Sequence, residues 1–349
     1  MAFRCKGRQF CPSCHARRLA EWSLWLHEHL LAPVAHRQVV LTLPKRLRAY
    51  FIHDPGRRRG MLGRLATRTL RAYVRAALGE RDAVPGLVVC VQTFGSVAHF
   101  HPHLHVLMSD GGFRRDGTFV PLPAPDAAVL EELWRRLVLA EFVRRGWLEE
   151  DAAAAMLAWP HSGFGGYLGP RIAEREAQLR VARYSARAPV AESRLRYDAE
   201  RAEVELVSDR ADGPYAGVHR LTALEFLARW VDHVPDRHEV RVRYAGAYAT
   251  RRRVWWRRRG VELVASPPVV TPPEPAADGP ALRARRRRWA ELLRLVFQVD
   301  VEVCPRCGGE SRIIGFVTQP AVVRRILAHL ERRGVEARAG PWAGEAVPG

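Results

Sequence analysis

Apolar positions Leu19, Trp22, Leu26 and Leu30 recur at three- and four-residue spacing, predicting a helix over 16–31. The segment 37–43, RQVVLTL, reads as a strand stopped by Pro44, and 58–79 as a helix with arginines on its polar face. Residues 86–108, GLVVCVQTFGSVAHFHPHLHVLM, are rich in β-branched and aromatic side chains. Their break at Gly95–His99 predicts two antiparallel strands. A turn is expected at Asp110-Gly111-Gly112, a strand at 118–121, a helix over 126–146 ended by Gly146, and another over 172–187 ended before Pro189. Segments 201–206 and 238–244 alternate as strands do, and Glu225 and Asp232 fall on a helix in LTALEFLARWVDHVP. Strands mixed with helices without βαβ regularity predict an α+β core around a mostly antiparallel sheet. There is no internal repeat.

At residue 251 the character of the chain changes. RRRVWWRRRG leads into the proline-rich SPPVVTPPEPAADGP, which suits a linker better than a packed domain. ALRARRRRWAELLRLVF then opens a small C-terminal α/β unit holding CPRCGG and a helix at 319–332. The expected organisation is an N-terminal knuckle and helix (1–34), a main domain (35–250), a basic proline-rich linker (251–281), a small C-terminal domain (282–335) and a tail (336–349).

The 349 residues carry 56 Lys+Arg against 37 Asp+Glu, a net charge of +19, and the only lysines are Lys6 and Lys45. A hydrophobic content of 48% excludes a disordered polycation. No apolar run reaches the ~20 residues that span a bilayer, and cysteines and cations occupy the N-terminus where a signal peptide has an apolar stretch. A soluble cytoplasmic protein is expected. Its natural partner is a polyanion, because each arginine that neutralises a phosphate releases a counterion.

Five of the six cysteines fall in two clusters: Cys5, Cys11 and Cys14 in CKGRQFCPSC, and Cys304 and Cys307 in CPRCGG. Each C-x-x-C carries a tight turn that lets two thiolates reach one tetrahedral ion, so Zn²⁺ is expected at the N-terminal cluster. Only three cysteines are present there. His15 is sterically poor as a fourth ligand, His27 and His29 would have to fold back, and a ligand lost upstream of the start is the simplest account. At the C-terminal pair, zinc and a metal-free hairpin stand level. Cys90 reads as a core residue.

His99, His101, His103 and His105 alternate in HFHPHLH, which puts all four on one face of a strand, successive Cα atoms about 6.5–7 Å apart. An i, i+2 pair there presents two imidazole nitrogens to one metal ion, with Leu104 and Val106 pointing into the core. His101 on the same face and Gln92 on the neighbouring strand are candidates for a third ligand, with Mg²⁺ or Mn²⁺ the ions suited to phosphate chemistry. Tyr184 lies in AEREAQLRVARYSARAP, an arginine-lined segment after the glycine-rich HSGFGGYLGP, and read from the residues alone it is an ordinary half-buried tyrosine.

HPHLH after QTFG looks like the signature of HUH endonucleases. The ordered set FCPSCHARR, VLTLPKRLR, PGLVVCVQTFG, HPHLH, HSGF, LRVARYSARAP and CPRCGG resembles the insertion-sequence-91 family of rolling-circle transposases. The resemblance spans roughly the whole chain. It implies an N-terminal zinc-binding domain followed by an HUH-type catalytic domain that nicks single-stranded DNA through a tyrosine. By resemblance His103 and His105 match the metal ligands and Tyr184 the nucleophile. Two-tyrosine members carry a second tyrosine one turn earlier, where this chain has Arg180, so it looks like a single-tyrosine variant. Ala188 stands where a proline often follows.

The implied partners are single- and double-stranded DNA, as element ends and target, with no membrane. The implied setting is the bacterial nucleoid. Candidate DNA contacts are Arg180, Arg183 and Arg187 beside the tyrosine, and Arg251, Arg252, Arg253, Trp255, Trp256, Arg257 and Arg258, where guanidinium groups alternate with indoles able to stack on unpaired bases. Arg283 and Arg285–Arg288 form a second basic run. Competing readings are a DNA-binding remnant that no longer cuts, and a metal hydrolase of small phosphoesters.

Overall fold

A computed structural model describes residues 10–52, 55–123, 125–159, 163–236, 238–261, 263, 303 and 307–310, with no side-chain detail for 55–58. Its centre is a five-stranded antiparallel sheet of order β10-β2-β3-β1-β6, made of β1 (His36–Thr42), β2 (Gly86–Phe94), β3 (Phe100–Ser109), β6 (Gly165–Ile172) and β10 (Val242–Gly246). Every residue of β2 is buried, because helices cover both faces of the sheet and leave no solvated side to demand alternation. The predicted mixed α and β architecture with an antiparallel central sheet is the observed one.

One face packs Val39, Leu41, Val89, Leu104, Val106 and Met108 against α3 (Pro55–Leu78) and α4 (Ala127–Arg144). Leu62, Leu65, Leu70, Trp134 and Phe142 come from those helices, while Arg64, Arg68 and Arg71 stay on the exposed side of α3. The Asp126 carboxylate accepts the Ala128 and Val129 amides to start α4, and Gly146, at φ +66°, follows its end. The opposite face packs Val88, Cys90 and Leu107 against Leu26 of α1 (Pro12–His29) and Leu30 just after it, Ala182 of α6 (Arg175–Ser185) and Trp256 of α8 (Thr250–Arg257). Cys90 is a core residue, as expected.

A small three-stranded sheet of β7 (Leu195–Asp198), β8 (Glu203–Val207) and β9 (Val218–Thr222) carries α7 (Ala223–Val231). It packs Leu206 and Trp230 on Val97 and Ala98 of the β2–β3 turn. Residues 6–269 form one compact unit; 1–5 with 270–349 form a second. Among the described residues of the second, an antiparallel bridge joins Val303 to Glu310, and Cys307 is exposed. Cys5, Cys304, Arg283, Arg285–Arg288 and the 319–332 helix lie outside the described residues.

Several boundaries differ from those read in the sequence. Gly111 and Gly112, expected in a turn, belong to β4 (Gly111–Phe113), which pairs with β5 (Phe119–Pro121). The span 172–187 divides into the end of β6 and then α6. GGYLGPRI gives little strand signal, yet Pro170 is tolerated because β6 lies at the sheet edge. The strand expected at 238–244 is β10, shifted to 242–246, while α2 (Lys45–Arg48), α5 (Glu150–Leu157), β7 and β9 were not anticipated.

The RRRVWWRRR run, expected to open a linker, is helix α8. Trp256 is only 1% exposed and its indole N–H donates to the Arg115 carbonyl at 2.9 Å, so it is a core residue rather than a stacking platform. Trp255 is half-buried under Arg259, whose guanidinium lies 4.1 Å from the ring centroid. Trp256→Ala is expected to cost about 3–5 kcal/mol in urea denaturation, and Arg257→Ala less than about 0.5 kcal/mol. A fully stable Trp256→Ala protein that has lost DNA binding would reverse this assignment.

Candidate functional site

Strand alternation and register build the site. On the α1/α6 face of the sheet His103 of β3 lies between Gln92 of β2 and Thr42 of β1, and His105 lies between Cys90 and Val40. Both imidazoles are buried, at 9% and 5% exposure, and their Nε2 atoms approach to 3.1 Å. The rings form a row along the strand: centroids stand 5.9 Å apart from His99 to His101, 4.9 Å to His103 and 4.9 Å to His105. Gly95 makes room for it, since a Cβ there would sit 2.0 Å from His99 Cε1.

Burial is the main cause that depresses all four imidazoles, to about 4 at His99 and His103 and about 3 at His101 and His105. Arg48 adds to this at His99, His101 and His103, and Arg187 at His103 and His105. Near neutral pH the row is therefore uncharged and its nitrogen lone pairs are available. His103 Nδ1 donates to the His101 carbonyl at 2.7 Å, which turns its Nε2 lone pair toward His105. Gln38 reaches His105 Nδ1 at 3.1 Å. With the Gln38 amide nitrogen facing it, His105 keeps its proton on Nε2 and donates to His103. With the amide turned by half a rotation, Nδ1 donates instead and both Nε2 lone pairs converge, as a shared cation requires.

Two imidazoles thus fit as ligands of one cation, and His101 Nε2 is buried without a hydrogen-bond partner. Among the described residues no three His, Cys, Asp or Glu side chains converge as in a closed metal site. Gln92, a candidate third ligand, has its amide nitrogen engaged elsewhere. It donates to the carbonyls of Tyr184 at 3.0 Å and Ser185 at 2.8 Å, filling acceptors that the last turn of α6 leaves open. In this arrangement Gln92 positions the tyrosine helix.

Tyr184 is 47% exposed, and its ring meets His105 edge-on at 5.3 Å. The Arg187 guanidinium lies 4.8 Å over the Tyr184 ring and pairs with Asp209 at 3.2 Å, where Arg194 also pairs. The structure therefore brings Tyr184, Arg187, Gln92, His101, His103 and His105 into one neighbourhood, with Arg183 half-buried and Arg180 exposed on the same helix. Gln38, Asp209 and Tyr215, which stacks on His99 at 4.3 Å, escaped the sequence reading. Gln38 had a signal: it shares the alternation of Val40 and Thr42, and so their face of β1.

Cys11 stands at the N-cap position of α1 and Cys14 lies in its first turn. The Cys14 backbone N–H lowers the Cys11 thiol below its ordinary range, favouring the thiolate that binds metal. His15 is not a candidate fourth ligand through Nε2, which donates to the Ala186 carbonyl at 2.8 Å. That bond ties the start of α1 to the end of α6. His27 and His29 stand roughly 20 Å along the helix from Cys14, at 1.5 Å per residue, too far to fold back. Arg251 and Arg257 of α8 and Arg258 just after it are exposed, while Arg252 and Arg253 are half-buried. No helix among the described residues is long and apolar enough to cross a membrane.

Residues 86–254, which hold the histidine row and Tyr184, match a family described as "Putative transposase", and residues 1–43 match a "Transposase zinc-binding domain". The chain is 29% identical over 275 residues to "Putative transposase y4qJ" of Sinorhizobium fredii (strain NBRC 101917 / NGR234), covering 71% of this chain and 67% of that protein. It is 25% identical over 273 residues to the "Transposase for insertion sequence element IS801" of Pseudomonas savastanoi pv. phaseolicola, covering 69% of this chain and 60% of that protein. The chain thus spans about three-fifths to two-thirds of the length of these relatives. No solved structure matches it significantly.

Proposed function

The chain belongs to the insertion-sequence-91 family of transposases, and from that premise we propose that it nicks and rejoins single-stranded DNA at element ends through a 5′-phosphotyrosine on Tyr184. The observation that carries this reading is the placement of an exposed phenol against His105, whose Nε2 faces that of His103. The Tyr184 oxygen bonds to the scissile phosphorus and the bond from phosphorus to the 3′ oxygen breaks. The departing oxygen ends protonated as a free 3′-OH, and the phenolic proton balances it. The covalent link keeps the energy of the phosphodiester, so attack by a target 3′-OH releases Tyr184 and joins the strands without ATP.

His103 and His105 would hold Mg²⁺ or Mn²⁺, with His101 nearest as a further ligand. Such an ion supplies Lewis-acid polarisation of a non-bridging phosphate oxygen. Arg187, fixed over the Tyr184 ring by Asp209, offers positive charge beside the phosphate. Gln92 holds the last turn of α6 and so fixes where the phenol points. Cys11 and Cys14, with Cys5 outside the described residues, are the proposed Zn²⁺ ligands of the N-terminal domain. The exposed cations Arg180, Arg251, Arg257 and Arg258 suit phosphate contacts that position rather than read DNA. The proposed organisation keeps a main HUH-type domain, extended through α8 to include 250–257.

The test is incubation of the full chain with a 5′-labelled and a 3′-labelled single strand containing an element end, in Mn²⁺, followed by denaturing electrophoresis. One label is expected to migrate with protein and the other as a shortened strand. A protein that binds the strand and yields neither product is a non-cutting DNA-binding remnant, the competing reading.

A further inference from the structure

The histidine row does not stop at the proposed nicking site. It runs from His99, just before β3, through 101, 103 and 105 of the strand, with Tyr184 on His105 at one end and Tyr215 stacked on His99 at the other, rings 4.3 Å apart and 12° from parallel. Tyr215 sits in the 208–217 loop between β8 and β9 and is half-buried, so the stack ends at solvent. Asp209 in that loop ties it to Arg187 and Arg194, fixing the loop beside the Tyr184 end as well. Arg48, Arg210, Arg229 and Lys45 all lie close enough to act electrostatically on His99. Lys45 and Arg210 are exposed and Arg48 and Arg229 half-buried.

We propose that Tyr215, stacked on His99 in a neighbourhood that includes Lys45, Arg48, Arg210 and Arg229, forms a track for the unpaired DNA strand that leads away from the scissile phosphate. The half-buried Tyr215 ring, backed by the parallel His99 imidazole, offers a stacking face that any base can use, and the neighbouring cations attract the backbone; together these are the two elements of single-strand binding. Stacking of this kind takes unpaired bases, whose faces a duplex keeps covered. The track deepens the nicking reading and rests on it for the direction of the strand, though its binding can be measured without cleavage.

The experiment uses the full chain and a fluorescein-labelled 20-nucleotide oligo(dT), with a duplex of the same length as comparison, read by anisotropy. Tyr215→Ala is expected to raise the single-strand Kd by about 5- to 150-fold, the range for losing one stacked base, and to leave the duplex Kd unchanged. Tyr215→Phe keeps the ring and is expected to bind as the parent does, which separates stacking from loss of the loop. Arg210→Ala is expected to lower the salt dependence of single-strand binding by about 0.7 in log–log slope. An unchanged single-strand Kd in Tyr215→Ala, or an equal loss for single strand and duplex, overturns the track. The nicking reading fails separately: it falls if the parent protein forms no covalent adduct, whatever Tyr215 does to binding.

Discussion

Tyr184→Phe is expected to abolish the covalent DNA adduct, lowering cleavage by at least ~10³-fold, while single-strand binding stays within about twofold of the parent. The substitution removes one oxygen and nothing that holds the region together. The ring keeps its edge-on contact with His105 and its place under Arg187. The carbonyls that accept from Gln92 belong to the backbone of residues 184 and 185 and are untouched. Because Tyr184 is about half exposed, the variant gives up no buried hydroxyl and its thermal stability should match the parent's. Loss of the adduct with intact binding and stability would isolate the missing nucleophile. An adduct that persists in Tyr184→Phe would show that another group attacks, and the row of histidines would have to be assigned a different partner.

Local signals carried much of the fold, and tertiary context decided the rest. HPHLH, flanked by apolar runs, announced a strand with histidines on one face, and register then set Gln92 and Thr42 on either side of His103. The arginine-lined helix holding Tyr184 was equally plain in AEREAQLRVARYSARAP. That its phenol meets His105 was not, because helix and sheet are brought together by tertiary contacts such as the packing of Ala182 and the bonds from Gln92. β6 was invisible since three of its eight residues are glycine and one is proline; only pairing with β1 makes it a strand. Trp256 misled for a related reason. Its arginine neighbours announce solvent, yet α8 turns that one indole into the core against Phe113.

The other large effect expected of this protein is acid lability, and it follows from histidines buried neutral. His36 is fully buried: Nδ1 donates to the Val34 carbonyl at 2.9 Å, and Nε2 accepts from the Tyr248 hydroxyl at 2.7 Å, which itself accepts the Ala32 amide. His233 donates from Nε2 to the Ala98 carbonyl at 2.7 Å and accepts from Thr93 Oγ1 at 3.1 Å. Each ring is locked in one neutral tautomer, and burial depresses both to about 4 from the ordinary 6.5. As pH falls below 6.5 the unfolded chain takes up protons that the folded chain refuses until about pH 4. Stability is therefore intact above 6.5, declines by about 1.4 kcal/mol per pH unit for each ring, and has lost about 3 kcal/mol per ring near pH 4. Two such rings remove about 6 kcal/mol from a typical total of 5–15 kcal/mol, and the histidine row pushes the same way. The urea midpoint, followed by circular dichroism, should fall steeply from pH 7.5 to pH 5. His36→Gln, less stable at neutral pH through loss of its paired hydrogen bonds, should show a slope shallower by about 1.4 kcal/mol per pH unit. A midpoint that holds constant down to pH 5 would mean that these imidazoles are not kept neutral in the folded core.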